Sequence, residues 1–172
     1  MGGWNAGPKG PNQSSIDSRN LDWKIREDES FSRGEIYSGE DGKKHINVEI
    51  AYRGKNLTMD FVWDQTTWLA SKVRGGKVRK PLFELIMTDV KKEFFRDMGV
   101  TYSMSSIYSK KGKPHIDVKI EYRGENTTID FAWDSSTQHV VKRKNNESYI
   151  PESLFNTIVF DVKNEFRKNE AA

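Results

Sequence analysis

The chain has 172 residues, of which 31% are charged, 35% hydrophobic and 12% aromatic, with a formal net charge of +3 and no cysteine. That length allows one domain or two small ones. The aromatic content excludes a wholly disordered chain, and the missing thiol excludes a disulfide framework, a zinc ribbon and thiol catalysis.

Residues 1–24 are rich in Gly, Pro, Asn, Gln and Ser and carry no periodicity, which predicts a flexible N-terminal arm. Trp4 and Trp23 stand out in it. Trp23 is read as docking on the domain edge, with contact to a partner as the sharper alternative. The arm has no apolar run of the kind a signal peptide needs, and no stretch of the chain is long enough to span a bilayer. The expectation is an intracellular, soluble protein, cytoplasmic or nuclear, with no membrane partner. The sequons at Asn56, Asn126 and Asn146 are then turn residues.

The rest of the chain repeats itself. HINVEIAYRGKNLTMDFVWD, starting at His45, recurs as HIDVKIEYRGENTTIDFAWD, starting at His115, with thirteen of twenty positions identical at an offset of 70. LFELIMTDVKKEF from Leu82 recurs as LFNTIVFDVKNEF from Leu154 at an offset of 72. Repeat 1 is assigned to residues 25–99 and repeat 2 to residues 100–172.

Within repeat 1, a first strand is predicted over Phe31 to Ser38, with a turn at Gly39 to Gly42. Ile46, Val48, Ile50 and Tyr52 then alternate with His45, Asn47, Glu49 and Ala51, and Leu57, Met59, Phe61 and Trp63 with Thr58, Asp60, Val62 and Asp64, so two half-buried strands follow. A type II′ turn centred on Gly54-Lys55 joins them, pairing Ile50 with Met59 and His45 with Asp64. A fourth strand starts near Trp68 and ends at Gly75-Gly76. Pro81 opens a helix whose apolar face is Leu82, Phe83, Ile86, Val90 and Phe94, and Gly99 closes it.

Repeat 2 follows the same plan. Its first strand is predicted from Val100 to Tyr108, its turn at Lys110 to Lys113, and its fourth strand runs from near Gln138 to Asn145-Asn146. Pro151 precedes a helix with Leu154, Phe155, Ile158, Val162 and Phe166 on one face. The fold class is therefore α+β: a tandem duplication of a β-β-β-β-α unit, with antiparallel sheets each covered by one helix. One such unit is only marginally stable alone. The two are expected to pack as an intramolecular pseudo-dimer forming one globular domain.

No P-loop, dinucleotide fingerprint, nucleophile elbow or H-E-x-x-H motif is present. His45 with Asp60 and Asp64, and His115 with Asp130 and Asp134, are read as cross-strand pairs that fix register; a metal site is the remote alternative. The expectation is a protein that is not an enzyme, with no cofactor and no metal.

Cations are less evenly spread. KVRGGKVRK holds Lys72, Arg74, Lys77, Arg79 and Lys80 with no acid, and Lys142, Arg143 and Lys144 form its counterpart. Such arms suit phosphate contacts that are independent of base sequence and sensitive to salt. Tyr37, Trp68, Tyr102, Tyr108 and Tyr149 offer faces on which unpaired bases can stack. Against this, Glu49, Asp60, Asp64, Asp117, Glu121, Asp130 and Asp134 share the outward hairpin face.

The element order, with YRGKNLTMDF in one copy and YRGENTTIDF in the other, resembles PUR repeat proteins and, more loosely, the Whirly family. The likeness spans about 145 residues. It implies binding of single-stranded, purine-rich DNA or RNA through sheets and loops, and implicates Arg53, Lys55 and Arg123 at the turns. Glu125 stands where the first copy has Lys55. The expectation is a single-stranded DNA- or RNA-binding protein contacting phosphates through basic β-arms. The alternative is a protein-interaction module, such as a small regulator or inhibitor of a larger host protein.

Overall fold

The structure, a computed structural model, describes residues 23–144 and 150–171, with the side chains of residues 143 and 144 excepted. It is α+β, with two antiparallel sheets and two helices in a two-unit layout. The first unit holds β1 (Ser30–Arg33), β2 (Tyr37–Ser38), β3 (Lys44–Tyr52), β4 (Lys55–Asp64), β5 (Leu69–Arg74) and α1 (Lys80–Asp97). The second holds β6 (Thr101–Met104), β7 (Tyr108–Lys110), β8 (Lys113–Tyr122), β9 (Glu125–Asp134), β10 (His139–Lys144) and α2 (Glu152–Ala171). The sheet orders are β1-β3-β4-β5 and β10-β9-β8-β6, with β2 alongside β3 and β7 alongside β8.

The first strand of each unit is thus broken in two, not continuous as the sequence pattern suggests. Gly34 donates to the Asn47 carbonyl, and Ser105 donates to the Asp117 carbonyl, just where pairing lapses. Both halves still pair with the same neighbour. The break re-aims the second half and brings Tyr37 and Tyr108 over the outer face of the sheet.

The hairpin register also differs from the sequence expectation, by two residues. Tyr52 pairs with Lys55, Ile50 with Leu57, Val48 with Met59 and His45 with Val62. The two-residue loop is therefore Arg53-Gly54, with φ of 52° and 77°. Positive φ at both positions is the signature of a type I′ turn, whose twist matches the strands it joins. The second unit repeats it with Arg123-Gly124 at 55° and 76°. A slip of two residues preserves facing, so the predicted apolar stripe remains correct: Ile46, Val48, Ile50, Met59, Phe61 and Trp63 are all buried.

Each helix lays its apolar face on its own sheet. Trp63 stacks on Phe94 at 5.0 Å between centroids and Trp133 on Phe166 at 5.3 Å. Phe61–Phe83 and Phe131–Phe155 each stand at 6.1 Å. Gly99, at φ 83°, ends α1 in a Schellman motif: Val100 donates to Phe95 and Gly99 to Arg96. The buried residues of both units join in one connected core. Within the second unit Tyr102 donates its hydroxyl to Asp161 at 2.9 Å, and from the first unit the Lys92 ammonium reaches the same carboxylate at 3.1 Å.

The segment ahead of β1 is tied down from Arg26 onward. Glu29 is buried and its carboxylate accepts from the Arg26 amide at 2.8 Å. Of the proposed arm, residues 1–22, Trp4 included, lie outside the described residues, and Trp23 is half-buried.

Candidate nucleic-acid interface

The hairpin tips of both sheets are exposed. The Arg53 guanidinium lies over the Tyr52 ring at 5.0 Å, and Arg123 lies over Tyr122 at the same distance. Both arginines are exposed, and among the described residues neither meets a carboxylate. Lys55, at the start of β4, is exposed beside Arg53.

The connector from β5 to α1 carries the densest positive charge. Its course depends on Gly75: a Cβ there would lie 2.6 Å from the Thr58 carbonyl oxygen, and its φ is 128°. Arg74 stands 83% exposed on one side, 3.9 Å from Asp60. Lys77 and Lys80 are exposed on the other. Lys72 donates to the Gly76 carbonyl at 2.9 Å and sits 5.9 Å from the Phe83 ring. Arg79 differs. Its guanidinium grips the Glu29 carboxylate in a bidentate pair at 2.6 and 2.7 Å and also donates to the Lys24 carbonyl. Its charge is spent inside the chain.

In the second unit Lys142 is exposed on β10, with its ammonium 5.8 Å from the Phe155 ring. The backbone of Arg143 and Lys144 continues that strand, while their side chains, with Asn145, Asn146 and Tyr149, lie outside the described residues.

The His–Asp pairing is real but not the one the expected register implies. His45 meets Asp60 through Nδ1 at 2.9 Å, while Asp41 approaches its Nε2 at 2.9 Å. Tyr37 stacks on the imidazole at 5.4 Å and donates its hydroxyl to Asp60 at 3.1 Å. Burial and then this bond to Asp60 push the phenol up from its ordinary value. Asp64 is elsewhere, accepting from the Thr66 and Thr67 amides at the next turn. In the second unit His115 meets Asp130 at 2.7 Å under Tyr108, and Asp134 accepts from Ser136 and Thr137. His45, Asp60 and His115 are therefore buried, and Asp130 half-buried, beneath a tyrosine lid, a consequence of the strand breaks. Among the described residues, no group of three His, Cys, Asp or Glu is placed to hold a metal ion.

Of the aromatics expected to stack bases, Tyr37 and Tyr108 cover histidines and Tyr102 binds Asp161. Tyr102 also lines an open cavity of about 370 Å³, and Trp68 lines one of about 580 Å³ between the two units. Tyr122, Arg123 and Lys91 share that lining. Tyr122 and Lys91 were not visible as site residues in the sequence. Lys91 lies in a charged stretch of α1, between Asp89 and Lys92-Glu93, and nothing in that stretch distinguishes it from its neighbours. In the sequence Trp68 of one copy aligns with Gln138 of the other, and in the structure both have positive φ.

Among the described residues no helix is long and apolar enough to cross a membrane. No protein-family model, no curated protein and no solved structure matches the chain.

Proposed function

We propose that the chain is a non-enzymatic nucleic-acid-binding protein that holds single-stranded DNA or RNA by phosphate contacts from its basic β-arms, its two repeated units packed as an intramolecular pseudo-dimer. The observation that carries this reading is the matched pair of hairpin tips, each presenting an unpaired guanidinium on a tyrosine ring. A guanidinium held over a ring keeps its donors free for a phosphate and loses little entropy on binding. Arg74, Lys77, Lys80 and Lys142 extend the positive surface, and the topological likeness to PUR repeat proteins supports the reading as an analogy. Contacts across the unit boundary, Lys92 to Asp161, Trp68 to Tyr122 and Ser153 to the Trp68 carbonyl, support the pseudo-dimer.

The test is oligonucleotide binding as a function of salt. Each phosphate neutralised on a single strand contributes a log–log slope of about −0.7, so six contacts give about −4. Replacing Arg53 and Arg123 together by Glu should flatten the slope by about 1.4. Binding that is indifferent to salt, or absent at low salt, would sink the reading.

One observation favours a protein-interaction module instead. The edge strands β5 and β10 expose Leu69, Val73 and Val141 at 49%, 52% and 43%, and an unpaired apolar edge can accept a strand from another protein. A stoichiometric protein partner that persists after nuclease treatment would favour this alternative.

A further inference from the structure

The cavity between the units brings together aromatic rings and cations from both of them. Its floor is aromatic: Trp68 and Tyr122, from different units, meet edge to face at 5.7 Å. Trp68 is held in place from both sides. Its backbone sits at φ 61°, a region costly for a bulky residue, and its carbonyl accepts the Ser153 hydroxyl from the start of α2.

Two cations line the same space. Arg123 reaches it from the hairpin tip, and Lys91 from α1. Lys91 is half-buried and makes no hydrogen bond or ion pair among the described residues. Burial alone lowers its affinity for a proton. An amine kept partly out of water with no anion beside it is costly, and a bound anion would remove that cost. Glu152 is the one acid on the lining. Two cations against one acid leave an excess of one, which suits one phosphate rather than a triphosphate. The volume falls within the range of small-molecule sites.

We propose that this cleft seats one phosphorylated nucleoside, its base against Trp68 and Tyr122 and its phosphate between Lys91 and Arg123. The ligand is either a free mononucleotide or one unit of a single strand; the second source rests on the nucleic-acid reading above. The seat is asymmetric, because the second copy has Gln138 in place of Trp68 and uses it to bind Glu170 at 3.2 Å.

The experiment titrates the full chain at low salt with three probes: an oligothymidylate of about twelve nucleotides, an abasic strand of equal length, and thymidine monophosphate. Lys91→Met keeps the apolar stem and removes the charge, Trp68→Ala removes the ring, and Trp68→Phe restores a stacking face. Lys119→Met, on the outer face of β8, is the charge control, and thermal melting confirms that each variant folds.

The expected result is that oligothymidylate binds about fivefold or more tighter than the abasic strand, a preference that Trp68→Ala abolishes and Trp68→Phe retains. Lys91→Met weakens every probe more than Lys119→Met does. Oligothymidylate binding unchanged by Lys91→Met and Trp68→Ala would leave the basic arms as the interface and overturn the cleft. Binding of the monophosphate alone, sensitive to both variants, would uphold the cleft as a nucleotide site while the nucleic-acid reading falls. Binding of none of the probes would overturn both.

Discussion

His45 and Asp60 face each other across β3 and β4 at 2.9 Å, and Asp41 closes on the opposite nitrogen of the same ring. An imidazole flanked by a carboxylate at each nitrogen can donate both bonds only when protonated. Burial opposes that charge, but the bonds to Asp60 and Asp41 outweigh it, and the His45 proton affinity is raised. A raised value in the folded state means that stabilisation is complete below the unfolded value near 6.5 and fades as pH rises through the folded one. The melting temperature of the wild type relative to His45→Gln should therefore fall on going from about pH 6 to about pH 9. Asp41→Asn should move that fall to lower pH. A difference that is flat or grows with pH would contradict the arrangement.

The Gly75-Gly76 pair makes a sharper stability test, because its two members look alike in sequence and differ in space. At Gly75 a Cβ would meet the Thr58 oxygen at 2.6 Å and the Met59 Cα at 2.8 Å, with φ at 128°. At Gly76 the nearest atom is a Leu57 methyl at 3.4 Å, and no positive φ is involved. Gly75→Ala should cost at least about 2 kcal/mol, seen as a melting temperature lower by roughly 4–8 °C. Gly76→Ala should change stability by less than about 0.5 kcal/mol. Equal effects would show that the connector can pass the sheet by another path.

These cases show what the sequence could and could not reveal. The alternation of Ile46 to Tyr52 and the helical spacing of Leu82 to Phe94 determine facing, because burial of apolar area dominates and tolerates no error of one residue. The turn was misplaced because glycine is the natural choice for the first positive φ. The chain puts Arg53 there instead and stacks it on Tyr52. Burial of His45 was not legible, since it depends on Tyr37 being swung over the sheet by a strand break that no periodicity signals. The cleft was least legible of all. Trp68 and Tyr122 are distant in sequence, and only packing of one unit on the other makes them neighbours.

Arg79 and Glu29 separate structure from binding within the basic connector. Their side chains are 10% and 2% exposed, and the hydrogen bond from Arg79 leads in holding the Glu29 carboxyl below its ordinary value. A depressed carboxylate contributes stability above its unfolded value, and that stability is lost as pH falls through the folded one. Removing one partner of a buried pair costs about 3–5 kcal/mol. Glu29→Ala should thus lower the melting temperature by ~6–20 °C at neutral pH, and the gap from the wild type should narrow as pH falls from about 5 to about 3, because the variant no longer has that carboxylate to protonate. Arg79→Ala should be similarly destabilising. Weaker oligonucleotide binding without a change in melting would instead mark Arg79 as a phosphate contact.

Arg53 offers the opposite separation. In a type I′ turn Asn is the favoured first residue, since its short polar side chain tolerates the left-handed region that a longer chain enters at a cost of about 1 kcal/mol. The contact of the Arg53 guanidinium with Tyr52 returns about 0.5 kcal/mol at an exposed site. The two terms nearly cancel, with the balance on the side of Asn. Arg53→Asn should therefore be at least as stable as the wild type. If the guanidinium contacts a phosphate, the same variant should bind oligonucleotide more weakly at low salt and show a log–log slope about 0.7 shallower. A positive φ at arginine in both hairpins is a cost to folding. Unchanged affinity with unchanged slope would leave Arg53 as no more than a turn residue, and the matched residue Arg123 would have to be tested alone.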